Sequence, residues 1–276
     1  MSRVEFGARI VLPNNAPLES EVNAGGNRKP LLKLDANDEL VVLHPMKQQK
    51  WDMASMPVPL IVKKTGAGAA TGTAGDENLI MWPGLTLEYH VLGTQTIVAP
   101  SMAATGLDLN SLDQTADDGA EYCPGILASS PHVFTVGTDP AFMMRAKLSI
   151  ADVSGTDDLA VGFRKLEAYQ ANVDDYDEMA ALNVIAGDIK IETILNGAAT
   201  TTTDTTDNWA DAETKELEIH VSAAGAVTYL IDGVAPTTTA AFSFDSGEVV
   251  VPFIYVLNDT DVAGAVVLKE LEIRLL

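Results

Sequence analysis

The sequence is poor in cysteine, in aromatic residues and in long apolar runs, and each shortage excludes a class of protein. Cys123 is the single cysteine among 276 residues, so no intrachain disulfide can form and packing must hold the fold. Aromatic residues make up 6% of the chain, which leaves few rings for stacking on sugars. No apolar run approaches the roughly 18 residues of a membrane helix, and the start lacks the apolar core of a signal peptide. We therefore expect folding in a cytoplasm.

Basic residues are also few, and the negative charge is unevenly distributed. The 39 acidic and 17 basic residues give a formal net charge of −22. Residues 1–64 hold nine basic and seven acidic residues, a net of +2, so residues 65–276 carry −24. An acidic body repels phosphates and anionic lipids, which argues against nucleic acid and membranes as partners. A salt-rich source would explain the acidity equally well, whereas the near-neutral N-terminal segment could dock where the rest is repelled.

The C-terminal half alternates apolar and polar residues with a period of two. In Ala141–Ile150 every second residue from Phe142 onward is apolar, and Arg145 and Lys147 fall between them. This pattern predicts a half-buried antiparallel strand. Similar segments separated by turn signals predict strands at residues 132–136, 141–150, 159–166, 183–186, 188–195, 216–222, 226–231, 241–245, 249–257 and 265–275. Ten short strands at this spacing predict an all-β sandwich or jelly roll.

Two segments between these strands have a clear local character. A hairpin turn is predicted at Ala223–Ala226, where Gly225 is free to adopt a positive φ. The Thr- and Asp-rich tract Gly197–Trp209 is predicted to be an exposed loop or a hydrated edge.

The region before the strand series is organised differently. Prolines interrupt residues 1–64, and proline favours extended or edge conformations. We predict an extended N-terminal arm there, with short strands at Leu31–Leu34 and Glu39–Leu43. Residues 65–130 are predicted to be loop-rich with short strands, and residues 131–276 to form the sandwich domain.

The strand series carries a family resemblance. The opening FMMRAKLSIADVSGTDDLAVGFRK, the hairpin VSAAGAVTYLIDG and the closing VVVPFIYVLNDTDVAGAVVLKELEIRL resemble the concanavalin A-like (laminin-G-like) sandwiches. The resemblance covers Phe142–Leu276, about half of the chain. Within that fold the chain most resembles structural proteins of tailed bacteriophages, in particular capsid decoration (cement) proteins.

The resemblance implies a non-enzymatic virion protein on the capsid surface, assembled in the host cytoplasm and bound to the major capsid protein. Because a decoration protein must match a symmetric lattice, we expect a homo-oligomer, either a trimer or a dimer. The N-terminal arm is expected to grip the shell or to exchange between neighbours. Its predicted contact residues are the apolar Val11, Leu12, Leu31, Leu32, Val41 and Val42.

Catalytic chemistry has little support in the residues. No histidine stands in a zinc motif, and Cys123 has no histidine beside it in sequence, so we predict neither a catalytic residue nor a cofactor. Glutamates two residues apart could still aim carboxylates into a groove, as in a glycoside hydrolase or polysaccharide lyase. The pairs are Glu216 with Glu218 and Glu270 with Glu272. The simpler interpretation of both pairs is a solvated strand face.

Carbohydrate binding is the main alternative to the decoration role, as in a tail-fibre or receptor-binding lectin. It would present the Gly197–Trp209 loop to a glycan, with Trp209 stacking on a sugar ring. Acidic loops also raise the question of calcium, which takes six to eight oxygen ligands. If calcium binds, the sequence predicts Asp174, Asp175 and Asp177 as its ligands.

Overall fold

The computed structural model describes residues 18–20, 29–34, 40–42, 49–63, 77–82, 84–93, 100–110, 115–125 and 132–276. The chain divides into two compact units, residues 1–47 and 48–276. The predicted boundaries after residues 64 and 130 do not coincide with this division. Strands from residue 49 onward belong to the same two sheets as those predicted for the sandwich domain.

The first unit contains a small antiparallel sheet. Its strands are β1 (Leu18–Ser20), β2 (Lys29–Leu34) and β3 (Leu40–Val42), in that order. The two strands predicted in this region are therefore confirmed, and β1 pairs with the first of them. Antiparallel pairing gives the backbone amides and carbonyls of these strands their hydrogen-bond partners.

The second unit contains two antiparallel sheets. Across the larger sheet the strand order is β16 (Thr201–Asn208), β15 (Asp188–Ile194), β14 (Met179–Ile185), β13 (Thr156–Lys165), β19 (Val249–Asn258), β10 (Gly119–Pro124), β7 (Leu85–Leu92), β6 (Glu77–Trp82) and β5 (Leu60–Lys63), and β11 (Phe134–Thr135) pairs with β19. The smaller sheet runs β18 (Val227–Ile231), β17 (Thr214–Val221), β12 (Phe142–Ile150), β20 (Val266–Leu275), β9 (Gly106–Asp108) and β8 (Ser101–Ala103), and β4 (Gln49–Asp52) also pairs with β20.

The main apolar core lies between these two sheets. Strand β12 shows the predicted alternation, since its residues from Phe142 to Ile150 are buried at every second position while Arg145 and Lys147 are only partly buried. The Phe142 ring stacks on Phe134 at 4.2 Å and meets Phe163 of the opposite sheet edge-on at 5.1 Å. The predicted all-β sandwich is confirmed.

Local predictions agree with the structure at the hairpin and at the Thr-rich tract, but not at residues 241–245. The turn between β17 and β18 places Gly225 at φ +93°, and the Gly225 amide donates to the Ser222 carbonyl at 2.9 Å. The tract predicted as an exposed loop or a hydrated edge forms the edge strand β16, which confirms the second of these alternatives. The strand predicted at residues 241–245 is reduced to an isolated bridge at Ser243. Within the described ranges, no helix is long and apolar enough to cross a membrane.

Candidate functional site

The glutamates considered as catalytic pairs lie on the outer face of the seven-stranded sheet, on the strands flanking β12. Arg145 of β12 contacts Glu216 on one side at 3.1 Å and Glu272 on the other at 2.8 Å. These three side chains are 19–29% exposed. The carboxylates are therefore engaged in cross-strand ion pairs, which stabilise a sheet.

Glu270 shows most clearly how these cross-strand ion pairs change the pKa of a carboxylate. Lys50 of β4 places its Nζ 2.5 Å from Glu270 Oε2, and Lys147 lies 3.7 Å from Oε1. The hydrogen bond from Lys50 lowers the pKa of Glu270. A general acid in a glycosidase requires the opposite shift, a raised pKa. The geometry at Glu270 therefore suits a structural ion pair.

The histidines of the described ranges have structural surroundings. His90 stacks on the Tyr169 ring with centroids 4.6 Å apart, His132 is buried, and His220 pairs with Glu218 two residues away. Within the same ranges, no group of three or more His, Cys, Asp or Glu side chains could hold a metal ion.

A buried ion pair lies on the outer face of the ten-stranded sheet. Arg164 of β13 and Glu121 of β10 are both 0% exposed, and Arg164 Nε donates to Glu121 Oε1 at 2.6 Å. The Tyr176 hydroxyl donates to the other oxygen of Glu121. Cys123 lies beside this pair, and burial raises the pKa of its thiol far above the ordinary value. A buried thiol with a raised pKa is inert as a nucleophile.

Arg164 also holds a stretch of chain against this face, residues 166–178, which we call the covering segment. Arg164 Nη1 donates to the carbonyl of Lys165, just before this segment, at 2.9 Å, and to the carbonyl of Glu167, within it, at 3.3 Å. The guanidinium carbon lies 5.2 Å from the Tyr169 ring centre and 4.4 Å from that of Tyr176. Hydrogen bonds and cation–π contacts thus anchor the covering segment from within the protein.

The predicted calcium ligands lie on the covering segment and have separate partners. Asp174 and Asp175 are exposed in a short 3-10 turn, and Asp174 accepts a hydrogen bond from Thr200 at 2.7 Å. Asp177 forms an ion pair with Lys165 at 2.6 Å. Within the described part of the chain, the structure does not bring the three together as a group that could hold a metal ion.

Trp209 does not occupy the position that a glycan-stacking residue requires. It is 2% exposed, belongs to the main core, and its Nε1 donates to the Glu213 carbonyl at 3.1 Å. The prediction of sugar stacking by Trp209 is corrected by this burial. Among the described residues, none of the exposed large hydrophobic side chains is aromatic.

A polar cluster that the sequence did not single out lies on the outer face of neighbouring strands: Asp158 (β13), Asn183 (β14) and Glu192 (β15). Asn183 Nδ2 donates to Asp158 Oδ1 at 2.5 Å and to Glu192 Oε2 at 2.7 Å. Burial raises the pKa of Asp158 to about 7 and also raises the pKa of Glu192. Buried carboxyl groups with perturbed pKa values mark candidate functional sites. Strand alternation is the signal that could have placed all three on one face.

The predicted capsid-contact residues fall in the first unit. Leu31 and Leu32 lie in β2 and Val41 and Val42 in β3, with Leu32 opposite Val42 in the backbone register. Val11 and Leu12 lie outside the described residues.

Comparisons with known proteins give similarity to solved structures alone. No protein-family model and no curated protein matches the sequence. A protein of unknown function, SO2946, from Shewanella oneidensis MR-1 is 10% identical over 78% of this chain and 86% of its own, with a TM-score of 0.44. Lectin II from Ulex europaeus is 12% identical over 67% and 94%, with a TM-score of 0.45. The β-glucanase of Bacillus licheniformis is 8% identical over 82% and 97%, with a TM-score of 0.43. Values this low assign no activity.

Proposed function

We propose that the chain is a non-enzymatic structural protein that decorates a tailed-phage capsid, binding the major capsid protein through its N-terminal unit. The observation that carries this proposal is the separation of charge between the two compact units. Residues 1–47 contain six of the 17 basic and six of the 39 acidic residues, so that unit is neutral. The sandwich of residues 48–276 carries the whole −22. A neutral unit can bury apolar surface on a shell without the desolvation and repulsion that acidic side chains impose.

The outer face of the seven-stranded sheet supports the same proposal. Its glutamates are committed to cross-strand ion pairs with Arg145, Lys147 and Lys50, which rigidify the sheet. A rigid acidic body attached through a separate unit suits a virion surface protein. The copies are proposed to form a closed dimer or trimer, in keeping with the symmetry of a shell.

The test is co-sedimentation of the full chain with purified tailed-phage capsids, beside a chain of residues 48–276. The full chain is expected to pellet with capsids and to resist added salt, because the attachment is apolar and not ionic. The 48–276 chain is expected to stay in the supernatant. Its far-ultraviolet circular dichroism spectrum should still show a folded β-sandwich, so that loss of pelleting is not caused by unfolding. Equal pelleting of both chains, or of neither, would refute attachment through the first unit.

Carbohydrate binding is the second candidate, favoured by the exposed polar surface of β16. Thr202 and Asp204 are exposed there, in register with Glu192 and Lys190 of β15. Hydroxyl and carboxylate groups on a rigid strand can hydrogen-bond sugar hydroxyls. Retention of the full chain on a glycan array, with loss of retention in Thr202→Ala, would establish this role instead.

A further inference from the structure

Glu178 is a buried carboxyl group that has no hydrogen-bond partner among the described residues. It directly precedes β14 and is 0% exposed, and both of its carboxyl oxygens are without a donor. An ionised carboxylate in this position would lose its hydration without compensation, which is costly. Burial without a partner therefore favours the neutral, protonated form of Glu178.

The charged groups around Glu178 are one lysine and three carboxylates. The Lys165 amide donates to the Glu178 carbonyl at 2.8 Å, but the Lys165 ammonium is engaged elsewhere. Its Nζ lies 2.6 Å from Asp177 Oδ2 and 3.4 Å from Glu248 Oε2. Burial, together with the Glu248 and Asp245 carboxylates, raises the pKa of Glu178 to about 7. Lys165 and the backbone amide of Asp245 act in the opposite direction and do not offset this rise.

Lys165 joins two parts of the chain through Asp177 and Glu248, and we call these three residues the lysine clamp. Asp177 lies near the end of the covering segment. Glu248 ends the turn at residues 245–248 that leads into β19, where its amide donates to the Asp245 carbonyl at 3.1 Å. The Asp177 side chain is 40% exposed and that of Glu248 is 20% exposed, so water and protons reach the clamp.

The strand register places Glu178 where it can compete for the lysine. Arg164 pairs with Met179 in the β13–β14 ladder, and Lys165 stands opposite Glu178 one step beyond. Directly opposite residues of antiparallel strands have their side chains on the same face. Lys165 is the basic group that acts on Glu178. If Glu178 ionises, one positive charge faces three negative charges, so the ion pairs of the lysine clamp weaken.

We propose that Glu178 is a proton-controlled switch for the lysine clamp. When Glu178 is protonated, Lys165 holds Asp177 and Glu248 together and the turn at residues 245–248 stays closed. When Glu178 ionises, its carboxylate competes for the same ammonium group and loosens the contact to Glu248, which frees the turn. Arg164 holds the covering segment through contacts of its own, so the switch acts on the turn. This inference is independent of the proposed function.

The size of the effect follows from the proton balance between the closed and the open turn. In the closed turn the pKa of Glu178 is about 7, and once water reaches the carboxyl group its pKa returns to the ordinary value of 4.5. The open turn therefore binds fewer protons, so a rise in pH favours it. Its population is expected to increase about tenfold between pH 6 and pH 8 and to level off at higher pH.

The experiment is amide hydrogen exchange of the full chain, measured by NMR and corrected for the intrinsic pH dependence of exchange. It is followed at the Glu248 amide and at the Gly247 amide, which donates to the Val136 carbonyl at 2.9 Å in the closed turn. Two variants are compared with the unmodified chain. Glu178→Gln is neutral at every pH. Asp158→Asn is the matched control, because it removes another buried carboxyl group with a pKa of about 7, near the opposite end of β13.

Exchange at both amides is expected to rise about tenfold between pH 6 and pH 8 in the unmodified chain and in the control, and to stay constant in Glu178→Gln. An NMR titration of the Glu178 carboxyl carbon in the unmodified chain should have its midpoint near pH 7. A midpoint near the ordinary 4.5, or flat exchange in the unmodified chain, overturns the proposal whether or not the variants fold. An equal rise in Glu178→Gln, or a rise that only the control loses, overturns it as well.

Discussion

Replacing Arg164 by methionine tests how the outer face of the ten-stranded sheet is held together. Arg164 and Glu121 are both 0% exposed and joined at 2.6 Å, so Arg164→Met leaves the Glu121 carboxylate buried without its counter-ion. Removing one partner of a buried ion pair costs about 3–5 kcal/mol. The hydrogen bonds and cation–π contacts that anchor the covering segment are lost at the same time.

Arg145→Met is the matched control, because Arg145 also pairs with glutamates on neighbouring strands. Its side chain is 24% exposed, and solvent screens its pairs. Partly exposed pairs of this kind contribute about 0–1 kcal/mol. The same substitution is therefore expected to cost several times more at Arg164 than at Arg145. Adding Glu121→Gln to Arg164→Met should recover part of the loss, since no unpaired charge then remains buried.

The assay is urea unfolding of the full chain, followed by tryptophan fluorescence and by circular dichroism. If the fluorescence and circular dichroism transitions coincide, the free energies of unfolding of the variants can be compared directly. An Arg164→Met variant no less stable than Arg145→Met would refute the argument that burial makes this pair essential.

Two further substitutions test burial elsewhere. Trp209→Ala should destabilise the sandwich by about 3–5 kcal/mol, because it empties a core position, and an unchanged urea midpoint would contradict the burial of Trp209. Burial and the neighbouring Glu248 and Asp245 carboxylates raise the pKa of Glu178 to about 7 from 4.5. The folded state then keeps a proton that the unfolded state releases, so the stability from this group is complete below about pH 4.5 and is lost as pH rises to about 7. Glu178→Gln, which stays neutral, should flatten that decline, and parallel pH profiles of urea midpoints would contradict the shift.

Strands with one wet face could be predicted from the sequence by their alternation, whereas β10, which is covered on both faces, could not. β12 alternates because its outer residues, such as Arg145, reach water. In β10 all residues from Gly119 to Pro124 are buried, since the main core covers one face and a second apolar cluster lies on the other. A strand buried on both faces loses its period-two pattern. Residues 65–130 were therefore interpreted as loop-rich with short strands, and β10 among them was not identified, although it lies between β7 and β19 in the larger sheet.

The remaining features depend on contacts between segments that are distant in sequence, which no local sequence pattern can show. The Thr- and Asp-rich composition of β16 left a loop and a hydrated edge as alternatives, and its pairing with β15 shows that it is an edge strand. Glu121 and Arg164 are 43 residues apart, and only the order of strands β10, β19 and β13 brings them together. Trp209 follows a polar tract, so the sequence predicted it to be exposed, but the packing of the sandwich buries it in the core.

The outer face of the ten-stranded sheet stabilises its buried carboxyl groups in two different ways. Around Glu121 the chain supplies its own cation, so the charge balance there depends on Arg164 and not on the medium. Around Asp158 and Glu192 it supplies the Asn183 amide instead of a cation, and burial raises the pKa values of both carboxyl groups. A carboxyl group with a raised pKa takes up a proton at a higher pH than an exposed carboxyl group does. This part of the face is therefore where the sandwich should respond to a fall in pH, while Arg164 keeps the covering segment beside it anchored.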